Sequence, residues 1–307
     1  MKIGVVDLDT SHPANWIPIE RDLGHEVVGV WDGGSVHPVE YVRDFAKEHE
    51  IATVYDSLEQ MAGEVDCAII HGCNWDTHVA KARPFVEAGK SVLMDKPLAG
   101  NARDLKQFCR WAGEGARITG GSSLRFCHDT RDWLAQPQEE RGRPHTVYCG
   151  CGTDEFNYAI HAWSLLCGIL GSGIRSVRHL GCGTQRRIQV NWSDGKMGLV
   201  SINCSEGLGL PMHVSITTDK LNMQYHADTS NIYRALLEAT LPYLADEAGD
   251  PPVPMEHLVE PELAAVAARR SWLEGDREVE LSELGEDDAG YDGKVFAEGY
   301  RKAKYSS

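Results

Sequence analysis

From residue 2 to 121, short apolar runs alternate with stretches of helical periodicity, and no other feature of the chain constrains its fold as much. "KIGVV", "HEVVGVWD", "DCAIIHG", "KSVLMD" and "RITGG" read as strands with helices between them, the pattern of βαβ units in a doubly wound parallel sheet. "HPVEYVRDFAKEHE" puts Val39, Val42, Phe45 and Ala46 on one helical face. "DTHVAKARPFVEAG" ends on Gly89, where a left-handed cap favours glycine. From about residue 122 strand-like runs follow one another directly, with "DGK" at 194–196 as a hairpin turn, which predicts a mostly antiparallel sheet. Helical patterns flank it at "DEFNYAIHAWSLLCGIL", "TSNIYRALLEATLPYLA" and "PELAAVAARRSWLEG". The 307 residues thus divide into a doubly wound α/β domain over 1–121 and a second α/β domain over 122–307.

With 46 acidic and 30 basic residues the formal charge is −16, a repulsive average field for a nucleic acid. A small polar metabolite is the expected partner. No run approaches the roughly 18 apolar residues of a membrane span, and "MKIGVVDLD" lacks the basic-then-apolar layout of a signal peptide, so a cytoplasmic protein is expected. The nine cysteines, an odd number in apolar surroundings, read as reduced and buried. Cys149 and Cys151 in "CGC" could be half of a metal site, but no CxxC pair accompanies them and no metal is expected.

The opening stretch "GVVDLDTSH" carries two carboxylates where a dinucleotide loop is normally rich in glycine. Glycines there permit a tight turn and close approach of the backbone to a pyrophosphate, whereas a carboxylate 4–6 Å from a diphosphate costs a few kcal/mol at an effective dielectric of about 20. Three readings stand open: a structural cap, a modified cofactor loop, or carboxylates for a metal or substrate. For the second, Asp7 and Asp9 must point away. Thr10, Ser11 and His12 then offer amides and hydroxyls to a phosphate at a helix N-terminus, with Pro13 in the first turn. Asp32, ending the second strand, reads either as a turn residue or as a ligand of the adenosine ribose that repels a 2′-phosphate and favours NAD over NADP.

"VLMDKPLAG", a strand ending in an acid-Lys-Pro tripeptide and followed by a helix, resembles the Gfo/Idh/MocA oxidoreductases. The likeness runs through "NWDTHVAKARPFVEAGKSVLMDKPLA" to "AARRSWLEGDREVEL", and the opening stretch resembles a DTSH-type variant of the family loop. The resemblance implies an NAD-binding Rossmann domain, a second domain whose sheet forms a homodimer or homotetramer face, and sugar, cyclitol or related polyol substrates. It implies that Lys96 touches nicotinamide and substrate, that His78 lies near the nicotinamide, and that His161 in "NYAIHAWSLL" faces the substrate. Where the family carries an aspartate four residues before that histidine, this chain has Asn157; the tripeptide's acid is Asp95; and the three loop glycines fall on Asp7, Asp9 and His12.

Oxidation of a secondary alcohol needs a base for the hydroxyl proton beside the hydride acceptor. Lys96 can stabilise the alkoxide or act as base, His161 is the alternative base, and Asn157 can hold a hydroxyl without relaying a proton. Arg125 and Trp75 are candidate substrate contacts, and His71 shares the loop with Trp75. The expected activity is an NAD(P)-dependent dehydrogenase. A family member that binds a sugar-like ligand without redox chemistry, or a lyase or isomerase with tightly held NAD, are the alternatives.

Overall fold

A computed structural model describes residues 1–181, 184–205 and 209–306. The first 121 residues fold as β1 (Lys2–Val6), α1 (His12–Asp22), β2 (Glu26–Trp31), α2 (Tyr41–Glu48), β3 (Thr53–Val54), α3 (Leu58–Ala62), β4 (Cys67–Ile70), α4 (His78–Glu87), β5 (Ser91–Asp95), α5 (Ala102–Gly113) and β6 (Ile118–Gly121). All six strands are parallel, in the order β3-β2-β1-β4-β5-β6. Every residue of β4, β5 and β6 is buried, because helices cover both faces, and that is why these strands read as continuous apolar runs. The strand order reverses between β1 and β4, which opens a crevice beyond their carboxyl ends. Gly89 takes a φ of +67° just past α4, as its position predicts. Val39 departs from its predicted place: it precedes α2 and is 78% exposed.

The rest comprises α6 (His128–Ala135), α7 (Gln138–Arg141), β7 (Pro144–Gly152), α8 (Ile160–Leu170), β8 (Ile174–Gly181), β9 (Gln185–Trp192), β10 (Met197–Asn203), β11 (His213–Thr218), β12 (Asn222–His226), α9 (Ile232–Leu244), α10 (Met255–Leu258), α11 (Glu260–Leu273), β13 (Val279–Glu280) and α12 (Gly293–Tyr305). The sheet runs β12-β11-β7-β10-β9-β8-β13 and is antiparallel except where β7 meets β10. Asp194 and Gly195 make the predicted hairpin turn between β9 and β10. Val190, Val200 and Val214 turn into one core with α8 and α11, and Cys149 and Cys151 lie in that core as small hydrophobes. Cys182 lies outside the described residues.

Two segments cross the boundary drawn from sequence. Leu236, Leu237 and Leu241 of α9 share a core with Ile3, Val5 and Trp16, while Met255 and Leu258 of α10 pack beside Met94 and Phe108. The chain therefore returns to its first sheet after building the second. This return brings later residues to the crevice.

Candidate functional site

At the crevice, β1 runs into Asp7, whose φ of +65° is the left-handed conformation that a loop glycine adopts cheaply. Its carboxylate is fully buried, pairs with Lys81 Nζ of α4 at 2.5 Å and accepts from the Gly33 amide at 3.2 Å. Asp9 is buried too, with Oδ2 accepting from the Cys73 amide at 2.9 Å. Burial, then the neighbouring Asp7, push the Asp9 carboxyl up to about 6. Asp7 is thus engaged by the protein itself, as the modified-loop reading requires, whereas Asp9 is held through Oδ2 and keeps Oδ1 buried without a partner. Asp32 Oδ2 accepts from the Leu8 amide at 3.0 Å and Oδ1 from the Gly34 amide at 2.5 Å, so this acid braces the loop it was expected to complement. Ser11 caps α1 by position but makes no side-chain cap hydrogen bond.

A cavity of about 370 Å³ adjoins this loop, within the size range of small-molecule sites. Thr10, Ser11 and His12 line it from the first domain together with Lys96, and Asn157, Tyr158 and His161 line it from the second. Here the structure brings together six of the residues singled out from sequence. Lys96 Nζ donates to the backbone carbonyl and to Oδ1 of Asn157, both at 3.2 Å; burial lowers its pKa against the opposing charge of Asp95. Asn157 therefore orients the lysine. His161 Nδ1 lies 2.7 Å from Ser122 Oγ, and burial followed by the nearby Lys96 holds the ring well below the usual imidazole range.

Sequence reasoning missed the contact at the centre of this wall. Asp95 Oδ2 accepts from His12 Nδ1 at 2.5 Å and from His71 Nδ1 at 3.0 Å, and Oδ1 accepts from the Lys96 amide at 2.8 Å. Burial opposes ionisation of Asp95, but His12 and His71 outweigh it and hold the carboxyl well below its usual range. The donor atoms of His12, His71 and Asp95 lie within 4.8 Å of one another and are the metal-capable group among the described residues. Their spacings of 2.5 and 3.0 Å are those of hydrogen bonds from two imidazoles to one carboxylate. The signal available in the sequence was an acid-Lys-Pro acid ending β5 beside loop histidines after β1 and β4; only the sheet order shows that these meet.

Three expectations are corrected. His78 is fully buried, its ring wedged between the carbonyls of Leu98 at 2.9 Å and Gly72 at 2.7 Å, so it braces loops instead of facing the nicotinamide. Trp75 is 2% exposed, donates its indole N–H to the Tyr291 carbonyl and packs on Phe156 and Phe296, which makes it a core residue of the junction. Arg125 lines a different cavity, about 470 Å³, with Phe126, Gly168, Ala235 and Val253. Beneath the tripeptide, Glu262 of α11 accepts from the amides of Leu98 and Ala99, and burial pushes its carboxyl up to about 8.

Residues 2–119 match the family described as "Oxidoreductase family, NAD-binding Rossmann fold". The matched stretch is the first domain, and it is similar to that family's NAD-binding fold. Over 105 residues, 34% of this chain, the sequence is 31% identical to trans-1,2-dihydrobenzene-1,2-diol dehydrogenase of Bos taurus, and the match spans 29% of that relative's length. Among solved structures, myo-inositol dehydrogenase from Lactobacillus casei in complex with NAD(H) and myo-inositol superposes with a TM-score of 0.77 at 15% identity, covering 93% of this chain and 98% of that one. UDP-N-acetylglucosamine 3-dehydrogenase from Acidithiobacillus ferrooxidans gives 0.73 at 15% identity, covering 88% and 97%. These likenesses show that the two-domain fold is shared over nearly the whole chain.

The matched family is described as NAD-binding, and the residues here fit one half of that cofactor. The amino end of α1, with Thr10 and Ser11 on the cavity, suits a phosphate, and Lys96 and His161 face the same space. Toward β2 the crevice holds the chain's own α12. Ala297 is 3% exposed in a cluster with Val36 and Cys73, and Phe296 and Tyr300 of the same helix wall the cavity.

Proposed function

We propose that the chain is an NAD-dependent dehydrogenase acting on a secondary hydroxyl of a sugar, cyclitol or related polyol. The observation that carries the reading is the convergence of Lys96, Asn157, His161 and His12, the last held from behind by Asp95, on one cavity beside the loop after β1. When bound, the nicotinamide supplies the hydride acceptor. Everything else falls to the protein. The wall mixes hydroxyls, an amide and imidazoles with the rings of Tyr158 and Tyr233, a lining suited to a compact polyhydroxylated ligand.

Lys96, fixed by Asn157, places a cation where negative charge develops on the substrate oxygen. His12 takes the proton. Asp95 holds His12 through Nδ1, and the ring lines the cavity, so Nε2 is the atom this reading assigns to the substrate proton. His161, kept neutral by burial, serves as a hydrogen-bonding partner of the substrate, a smaller role than the base its sequence position suggests. Asp32 follows β2, and although both its oxygens brace the loop, an acid at this point of the sheet supports NAD over NADP.

The test is a panel of inositols, hexoses and acyclic polyols with NAD and with NADP, followed by the appearance of reduced cofactor. On the substrate found, Lys96→Met lowers kcat by about 10²–10⁴-fold with the fold intact. Turnover that survives this change removes Lys96 from the chemistry. The second reading, a member that binds a sugar-like ligand and moves no hydride, is favoured by α12 in the crevice. Calorimetric titration with NAD and NADP separates the two, since only a dehydrogenase must bind one of them.

A further inference from the structure

α12 follows the last stretch of sequence that carries the family resemblance, and Phe296 packs it against the core of the second sheet. The helix also crosses the carboxyl edge of the first. At its start, the amides of Gly293 and Lys294 donate to Asp76 Oδ2 at 2.9 and 3.1 Å, in the loop after β4. In its middle, Ala297 is buried against Val36 after β2 and Cys73 after β4. At its end, Lys304 Nζ reaches the Asp9 carbonyl at 3.2 Å and His37 Nε2 at 3.0 Å, while Tyr305 OH lies 2.6 Å from His37 Nδ1.

These anchors trace a line that matters for ligand binding. In a doubly wound sheet the pyrophosphate of a dinucleotide lies on the first βα turn, and the adenosine ribose reaches the acid that ends the second strand. Here the first βα turn is bridged by Lys304, and the loop after β2 by Val36 and His37. The helix occupies the adenosine half of the crevice, whereas the other half remains as the cavity that Phe296 and Tyr300 wall. One volume cannot hold both.

We propose that α12 and the adenosine half of a dinucleotide are mutually exclusive occupants of this crevice, so that cofactor binding requires release of the C-terminal helix. The inference rests on the dehydrogenase reading and assigns a control element to the same site. A dinucleotide binds only the released form, so its apparent affinity is reduced by the fraction of molecules in which the helix is free. The contacts that hold the helix are the patch around Ala297, the packing of Phe296 on Trp75 and polar links at both ends. Arg301 and Lys302 are exposed on the docked helix already, and release lets the backbone around them unwind into a protease.

The full-length protein and two variants decide it, with NADH and NADPH as probes. Ala297→Glu places a carboxylate in the patch with Val36 and Cys73, and Lys304→Ala removes the bridge at the other end; melting curves establish that each is folded. If Ala297→Glu does not fold, Lys304→Ala, whose residue lies at the helix end, carries the comparison. Fluorescence titration is expected to show tighter binding in the variants, about ten-fold or more where the helix is free in a tenth or less of wild-type molecules. Trypsin cleavage of the wild type after Arg301 and Lys302 is expected to accelerate when NADH is added. Equal dissociation constants in all three proteins, with cleavage unchanged by NADH, overturn the proposal and leave the dehydrogenase reading intact. No binding of either probe by any of the three overturns both.

Discussion

Asp7 meets two demands that conflict in most loops. It adopts the left-handed backbone of a tight βα turn, at a cost of about 1–2 kcal/mol for a non-glycine residue, and it buries a full negative charge. Lys81 resolves the second demand, and the two side chains are 0% and 9% exposed. Removing one partner of such a pair leaves an uncompensated buried charge, so Lys81→Met is expected to destabilise the protein by about 3–5 kcal/mol in denaturant unfolding. The double change Asp7→Gly with Lys81→Met should recover most of that loss, since it removes both charge and backbone strain. A double variant as unstable as the single one would show that Lys81 acts by packing. Glu20 offers the opposite case: it is completely buried with no hydrogen-bond partner for either oxygen, and burial pushes its carboxyl up to about 8 from its ordinary 4.5. The folded protein holds a proton that the unfolded chain has already released, so stability falls as pH rises from 4.5 through about 8. Glu262, also raised to about 8, adds a slope of the same sign. Glu20→Gln is expected to flatten the fall in melting temperature between pH 5 and pH 8, and an unchanged slope would sink this account.

At the scale of elements, what could be read in advance depended on whether the cause was local. The six parallel strands were legible because burial on both faces forces continuous apolar runs, and the cap at Gly89 because one backbone angle demands it. Lys96, Asn157 and His161 were legible through the family resemblance, and they do share a cavity. His78, Trp75 and Arg125 carry the right chemistry at the right sheet edge, yet their polar atoms and rings are taken up by carbonyls, aromatic packing or another cavity. Such a difference is set by neighbours far away in sequence. The contact of His12 with Asp95 spans 83 positions and follows from sheet order alone. α12 is a different miss. Asp292 caps it by accepting from the Val295 amide at 2.7 Å, and Phe296, Ala297 and Tyr300 form a short apolar stripe, so its local signals were present behind an acidic loop. Nothing local, however, says where such a helix docks.

For the whole molecule, the second sheet raises the question of assembly. The apolar side chains of β9, β10 and β11 are covered within one chain by α8 and α11, so they offer no oligomer face. The opposite face is different. In register across β11, β7, β10 and β9 it presents Ser215, Tyr148, Leu199 and Gln189 in one row, and Thr217, Thr146, Met197 and Asn191 in the next. None of these eight carries a formal charge, in a chain where 25% of residues do and the net charge is −16. Depletion of charge at the centre of a flat patch, with a tyrosine and a leucine in it, is the composition of an interface core. An isologous pairing of this face with itself would also keep the carboxylates of two strongly acidic chains apart. The protein is therefore expected to be at least a dimer, with a solution mass by light scattering of twice the 33.9 kDa chain or more. Leu199→Arg, which sets two like charges face to face across the pairing, should shift it to the monomer without lowering the melting temperature of the fold itself. A wild-type mass near 33.9 kDa defeats the expectation, and an oligomer untouched by Leu199→Arg moves the interface elsewhere.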